Sequence, residues 1–195
     1  MSLLCVTSSP LNCSGAIYAG VPDRTSVCTC SANPAKPKAA AIGVANDRIH
    51  LVMAQVMAAK GCDGFVFRGD DRLDEITLDG TTCVLSIGRD EISSDRIDAK
   101  DFGLDNAPVS AIAGGDAAEN ARISLAIFAG ERGAPRDAVL LNAAVAIAAY
   151  EGNLESEIKV RITDGLKRAI AAIDSGAAST LLKNWVALTQ EISAS

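Results

Sequence analysis

Three consecutive stretches decide the fold: Lys38-Ala39-Ala40-Ala41-Ile42-Gly43-Val44, then Asp47-Arg48-Ile49-His50-Leu51-Val52-Met53, then Gly64-Phe65-Val66-Phe67-Arg68. The first and third are short apolar runs, as expected of strands buried on both faces. The middle one opens a helix with Asp47 as its N-cap; it runs to about Lys60 and is closed by Gly61. Strand, helix and strand in that order form a β-α-β unit, whose two strands lie parallel with a right-handed crossover. The expected class is therefore α/β, with a mixed, mainly parallel sheet flanked by helices.

The bulk numbers agree with one packed domain. The chain has 195 residues, of which 49% are apolar and only 4% aromatic. Its core must then be aliphatic and alanine-rich, which suits helices packed closely on a sheet. Charged residues are 22%, near the globular average. A net charge of −6 and the lack of any Lys/Arg cluster argue against nucleic-acid binding. No apolar run reaches the roughly 20 residues of a membrane span. The start, Met1-Ser2-Leu3-Leu4-Cys5, lacks the basic and apolar regions of a signal peptide, so a cytoplasmic chain is expected.

The six cysteines, Cys5, Cys13, Cys28, Cys30, Cys62 and Cys83, then read as reduced thiols. Cys28-Thr29-Cys30 has C-x-C spacing, unlike the C-x₂-C of most zinc sites. His50 is the single histidine, so a Ser-His-Asp triad or a His-rich metal centre has little to draw on. It is expected on a helix surface.

Upstream, residues 1 to 32 are rich in Ser, Cys, Thr and Gly and show no sustained period; they read as an irregular N-terminal segment. Asn33-Pro34-Ala35-Lys36-Pro37 is a turn, and residues 33 to 195 form the α/β domain. Downstream, Glu75 to Leu78, Thr82 to Ile87 and Glu91 to Ile97 read as shorter strands, with turns at Asp79-Gly80 and Gly88-Arg89-Asp90. Residues 101 to 113 read as irregular. Four helices follow. The first is capped by Asp116, with Glu119 completing a capping box, and runs to about Phe128. The second has Pro135 in its first turn and continues through Val145, apolar nearly all round and hence deeply buried. The others span about Ser156 to Ile173 and Ala177 to Ile192, the last carrying Trp185.

Chemistry concentrates after the third decisive stretch. Gly69-Asp70-Asp71-Arg72-Leu73-Asp74-Glu75-Ile76-Thr77 and Asp79 place five acids just beyond a strand end. Neighbouring carboxylates there suit a hard cation such as Mg²⁺, held by few protein oxygens and by substrate phosphates. A solvated acidic turn has the same composition. Other polar residues read structurally. Lys36 and Lys38 are solvated turn residues; Arg136-Asp137 is a charge pair at a helix start. Asn142 is a core amide satisfied by backbone. Gly114-Gly115-Asp116 is a tight turn into a capped helix, and Asp174-Ser175-Gly176 ends one helix and caps the next.

Several of these blocks resemble the C-terminal part of anthranilate phosphoribosyltransferase. They are Asn33-Pro34-Ala35, Leu73-Asp74-Glu75-Ile76, Asp101-Phe102-Gly103-Leu104, Gly114 to Ala121, Gly130 to Ala144 and Ile173 to Ala178, in the family's order. The resemblance covers about residues 33 to 192. It implies the larger α/β domain of the anthranilate phosphoribosyltransferase and nucleoside phosphorylase-like fold, truncated at its N-terminus. It also implies transfer of the phosphoribosyl group of phosphoribosyl pyrophosphate to anthranilate, a step of tryptophan biosynthesis, with Mg²⁺ as cofactor. By resemblance, Asp74 and Glu75 take the positions of the family's metal-binding acid pair.

The departures shape the expectation further. The family's N-terminal half, with its glycine-rich pyrophosphate loop, has no counterpart here. Low activity is therefore expected of this chain alone, together with self-association or pairing with a complementary N-terminal fragment. A non-catalytic binding module with a residual Mg²⁺–phosphate site is the alternative. Arg24-Thr25 matches the family's anthranilate-contacting arginine poorly, and catalytic and substrate-binding residues are not assigned. Arg72 stands where the family usually has glycine, which strains the backbone if φ is positive.

Overall fold

A computed structural model describes Leu3–Leu4, residues 37–88 and residues 91–194. The β-α-β unit forms as expected: β2 (Ala39–Gly43), α1 (Asp47–Ala59) and β3 (Asp63–Gly69). The two strands are parallel, in register from Ala39↔Asp63 to Gly43↔Phe67. The helix cap is Asn46 rather than Asp47: its side-chain oxygen accepts the Arg48 amide at 2.9 Å. Asp47 instead lies in the first turn, where a negative charge complements the helix dipole, and pairs with Arg68 at 2.9 Å.

The sheet extends through β4 (Thr81–Gly88) and β5 (Glu91–Asp98), and a two-residue β1 (Leu3–Leu4) lies on the other edge. The strand order is β1-β2-β3-β4-β5. The sheet is mixed, but the expectation that it is mainly parallel is corrected. Among the described residues only β2 and β3 pair in parallel; β1–β2, β3–β4 and β4–β5 are antiparallel. The cause is connection length. A parallel return needs a crossover of about a dozen residues or more, whereas β4 pairs with β5 up to Gly88↔Glu91 with only positions 89 and 90 between them.

Glu75 to Leu78 is loop, not strand. Ile76 and Leu78 are buried in the core, but side chains take the place of a ladder partner. Asn142 Oδ1 accepts the Ile76 amide at 2.9 Å, and Thr82 Oγ1 accepts the Thr77 amide at 3.0 Å. Asp79-Gly80 thus leads into β4 instead of closing a hairpin. Residues 99 to 112 hold two short 3₁₀ turns, Ala99–Phe102 and Val109–Ile112.

The C-terminal half supplies α2 (Ala117–Phe128), α3 (Ala134–Glu151), α4 (Ile158–Asp174) and α5 (Ala177–Ala194). Alternation along the strands divides the core between two faces. Val66, Leu85 and Ile87 pack with Ala54 and Met57 of α1. Phe65, Phe67, Val84 and Ile97 pack with Leu141 and Val145 of α3 and Ile162 of α4. Full burial of a side chain such as Phe65, 0% exposed, contributes about 1.5–3 kcal/mol. The expected burial of α3 holds, with nine of its residues buried. By contrast α5 buries none, and Trp185 is 63% exposed.

Several polar assignments change. Asp116 caps α2 by accepting the Glu119 amide, but the Glu119 carboxylate turns to Arg122, so the capping box is half made. His50 is buried rather than on the surface, and its Nε2 lies 3.0 Å from the Val66 carbonyl oxygen. Arg136 is no local charge pair: it is buried on α3 and donates to Asp174 at 2.6 Å, joining α3 to the end of α4. The expectations for Cys28-Thr29-Cys30, Arg24-Thr25, Lys36 and, apart from Leu3–Leu4, the N-terminal segment fall outside the described residues.

Candidate functional site

The acidic stretch is the loop from Asp70 to Gly80, leaving β3 and returning through β4. Three of its five acids serve the loop itself. Asp70 accepts from Thr81 Oγ1 at 2.6 Å and from Arg96 of β5. These bonds, the threonine's first, hold its carboxyl below the usual carboxylate range. Asp71 Oδ1 accepts the Leu73 amide at 3.0 Å and Oδ2 accepts the Thr77 hydroxyl at 2.5 Å, folding the loop back on itself. Asp79 receives the Val109 amide at 3.4 Å.

Asp74 and Glu75 are neighbours, both half-buried. Two contacts place them. On one side the Asp74 carbonyl sits over Gly43 at the end of β2, so close that a Cβ there would lie 1.7 Å from its oxygen. On the other, Asn142 of α3 holds Ile76 through both backbone groups: Oδ1 accepts the amide and Nδ2 donates to the carbonyl at 3.2 Å. The pair therefore stands at the carboxyl end of the parallel strands, where open α/β sheets bind ligands. Arg72 adopts φ 69°, the one positive value at a non-glycine among the described residues, so the strain expected of this position is present.

The donor set can be tested against Mg²⁺. Among the described residues no group of three or more His, Cys, Asp or Glu is arranged to hold a metal. Two adjacent carboxylates on a loop are nonetheless hard oxygen donors, and Mg²⁺ is commonly held by one or two carboxylates with water and substrate phosphates filling the rest. Asp74 and Glu75 fit that mode.

The sequence reading missed what holds the pair in place. Arg96 and Thr81 anchor the loop only because β5 pairs with β4 in a register bringing Cys83 opposite Arg96. The amide of Asn142 was visible, but its partner Ile76, 66 positions away, was not. Gly114-Gly115 proves to be a closed turn: Asn120 accepts the Gly115 amide and donates to its carbonyl. It is structural, as expected.

The fold is thus an α/β domain with an acid pair at the carboxyl end of its two parallel strands. The chain belongs to the glycosyl transferase family, whose a/b domain model matches residues 30–179. Within known proteins it is 43% identical over 158 residues to the anthranilate phosphoribosyltransferase of Arthrobacter sp. (strain FB24), covering 81% of this chain and 45% of that protein. The crystal structure of anthranilate phosphoribosyltransferase from Thermus thermophilus superposes with a TM-score of 0.65 at 29% identity, over 74% of this chain and 41% of that one. A variant of the Saccharomyces cerevisiae enzyme with Mg bound gives 0.64 at 25% identity, over 75% and 41%. The chain thus spans about half the length of the relatives it matches.

Proposed function

We propose that this chain is the α/β part of a phosphoribosyltransferase that moves the phosphoribosyl group of phosphoribosyl pyrophosphate to anthranilate in tryptophan biosynthesis. The observation that carries the reading is the position of Asp74 and Glu75 at the end of β2, with Gly43 beneath Asp74 and Asn142 bonded to Ile76, the residue after Glu75. Its relatives bear that activity in their names, and one of them is known with Mg bound.

On this reading Asp74 and Glu75 are the residues that would hold Mg²⁺. The ion supplies neutralisation of the charge that gathers on a departing diphosphate. The contribution of the protein is preorganisation. The loop is fixed before substrate arrives, so its carboxylates need no reordering when charge develops. Residues 33–195 form the functional domain, and the setting is cytoplasmic, as a biosynthetic step implies. No described helix is long and apolar enough to cross a membrane.

A second reading, a binding module without turnover, is favoured by the closed Gly114-Gly115 turn. Among the described residues its backbone is engaged by Asn120 and offers no glycine-rich cradle for phosphate. One experiment separates the two. Purified chain is mixed with phosphoribosyl pyrophosphate, Mg²⁺ and anthranilate, and loss of anthranilate fluorescence is followed while calorimetry monitors Mg²⁺-dependent pyrophosphate binding. Turnover abolished by Asp74→Asn supports the enzyme. Binding without turnover supports the module. Neither binding nor turnover overturns the assignment of the acid pair.

Self-association belongs to the same reading. Leu181, Trp185, Leu188 and Ile192 lie exposed along one helix, α5. These positions recur at i, i+4, i+7 and i+11, so they share one face of the helix, and we assign that face to a second copy of the chain. Sedimentation should show a concentration-dependent dimer, weakened by Trp185→Ser. A monomer at all concentrations, or one that pairs only with an added N-terminal fragment of a relative, overturns it.

A further inference from the structure

A cleft of about 510 Å³ lies at the other end of the sheet from the acid loop. The register shows the separation: Gly69↔Thr82 marks the acid-loop end of β3 and β4, and Gly64↔Ile87 the opposite end. Ser86 and Ser93, cross-strand neighbours on β4 and β5, form part of its floor, and Phe65 lies beside Ser86 on β3. Its roof is the start of α4 and the residues leading into it.

Two residues lining this cleft, Arg161 and Ser86, each hold a buried polar atom without a hydrogen-bond partner among the described residues. Arg161, 7% exposed, stacks its guanidinium 4.6 Å above the Phe65 ring and reaches the Ala148 carbonyl only at 3.4 Å. Its Nε is buried without a hydrogen bond, as is Ser86 Oγ. Burial lowers the affinity of this guanidinium for its proton, opposed by the charge of Asp63. A buried cation without a carboxylate in contact is costly. The other cation of the cleft, Lys159, is already paired with Asp101 at 2.9 Å. The N-cap of α4, Glu157, makes no side-chain cap bond, and its carboxylate is a third acid among the lining residues.

The rim has the opposite sign. Glu91 and Asp95 alternate with Ser93 on β5, so all three share the face that looks into the cleft. Two carboxylates at the mouth repel a polyanion and attract an ammonium group. Between the two ends stand Leu154 and Ile158. Gly88 makes room for Leu154: a Cβ there would lie 2.7 Å from the leucine Cδ1.

We infer that this cleft binds a small zwitterion of the amino-acid class, its carboxylate directed to Arg161 and Ser86, its ammonium group to Glu91 and Asp95, and an apolar side chain to Leu154 and Ile158. The site is separate from the acid pair and does not depend on the transferase reading.

The test uses the whole chain and L-leucine as probe, with N-acetyl-leucine and leucine amide as controls that lack one charge each. Calorimetry should show saturable binding of leucine, and binding weaker by about tenfold or more for each control, the loss expected of one charge-assisted contact. Glu91→Gln, at an exposed rim position, should weaken leucine and leave N-acetyl-leucine unchanged. Ser86→Ala should weaken leucine and leave leucine amide unchanged. Because Arg161 packs in the core, Arg161→Lys is read only after circular dichroism shows the native fold; it too should weaken leucine. Equal binding of leucine and N-acetyl-leucine would make the site a simple anion site and overturn the proposal. Equal binding of leucine amide, or no leucine binding at all, would do the same.

Discussion

Asn142 and Ile76 are bound twice over: the Asn142 side chain accepts the Ile76 amide at 2.9 Å and donates to the Ile76 carbonyl at 3.2 Å. The same Nδ2 also donates to Ala138 within its own helix, at 3.0 Å. A buried helix thereby acts as the ladder partner that Ile76 lacks, one residue after Glu75. Asn142→Ala leaves a buried amide and carbonyl without partners. It should lower the unfolding free energy by about 2 kcal/mol or more, read from urea denaturation. Asn142→Asp keeps the acceptor but loses both donations, so it should also destabilise. In both variants, amide exchange at Ile76 should accelerate more than exchange in α1. Uniform acceleration would mean that the clamp is not local.

Gly43 is the second support of the acid pair. Gly43→Ala places a methyl group 1.7 Å from the Asp74 carbonyl oxygen, with no flexible side chain to yield. The loop must move, at a cost of about 1–3 kcal/mol. The expected signature is a loss of Mg²⁺-dependent pyrophosphate binding that exceeds the loss of stability. Ala41→Gly, a control in the same strand, should lower stability without that excess.

Much of this was readable beforehand, and the reasons differ by element. β2, α1 and β3 were legible because apolar runs and caps are local signals. The buried α3 was legible from its apolar circumference. Glu75 to Leu78 misled because Ile76 and Leu78 are apolar for core burial, while the amides of Ile76 and Thr77 go to Asn142 and Thr82 rather than to a strand. His50 and Arg136 misled similarly. Each is a polar side chain on a helix, yet its partner, Val66 or Asp174, comes from another element. The cleft above Phe65 has no linear signature, since Ser86, Ser93 and Arg161 meet only through strand register and helix packing.

Arg72 holds a left-handed conformation at φ 69° in an otherwise well-bonded loop. A non-glycine residue there costs about 1–2 kcal/mol. Arg72→Gly removes that strain but adds flexibility to the unfolded chain, so the net gain should be up to about 1 kcal/mol. The urea midpoint should rise with the slope unchanged. A lower midpoint would show that the arginine makes a contact worth more than its strain.

Acid should weaken the fold through Asp70 and Asp101. Asp101 accepts from Lys159 and from the Asp98 amide, and these bonds, the lysine's first, hold its carboxyl below its ordinary value. A carboxyl depressed in the folded state binds a proton more tightly when unfolded. Its stabilisation is therefore complete above the unfolded value of about 3.9 and fades as pH falls through the lower folded value. Asp101→Asn removes that contribution. The variant should melt below the wild type at neutral pH, and the gap should narrow as pH falls through the lowered folded value, where both chains come to carry a neutral group at this position. Asp137 runs the other way: burial raises its carboxyl, with Arg136 opposing, so the folded state takes up its proton first. Asp137→Asn should consequently narrow its deficit, or gain on the wild type, as pH rises above the usual carboxylate range. Melting curves of the two variants across that range should diverge from the wild type in opposite directions; a parallel response would show that neither carboxyl governs acid stability.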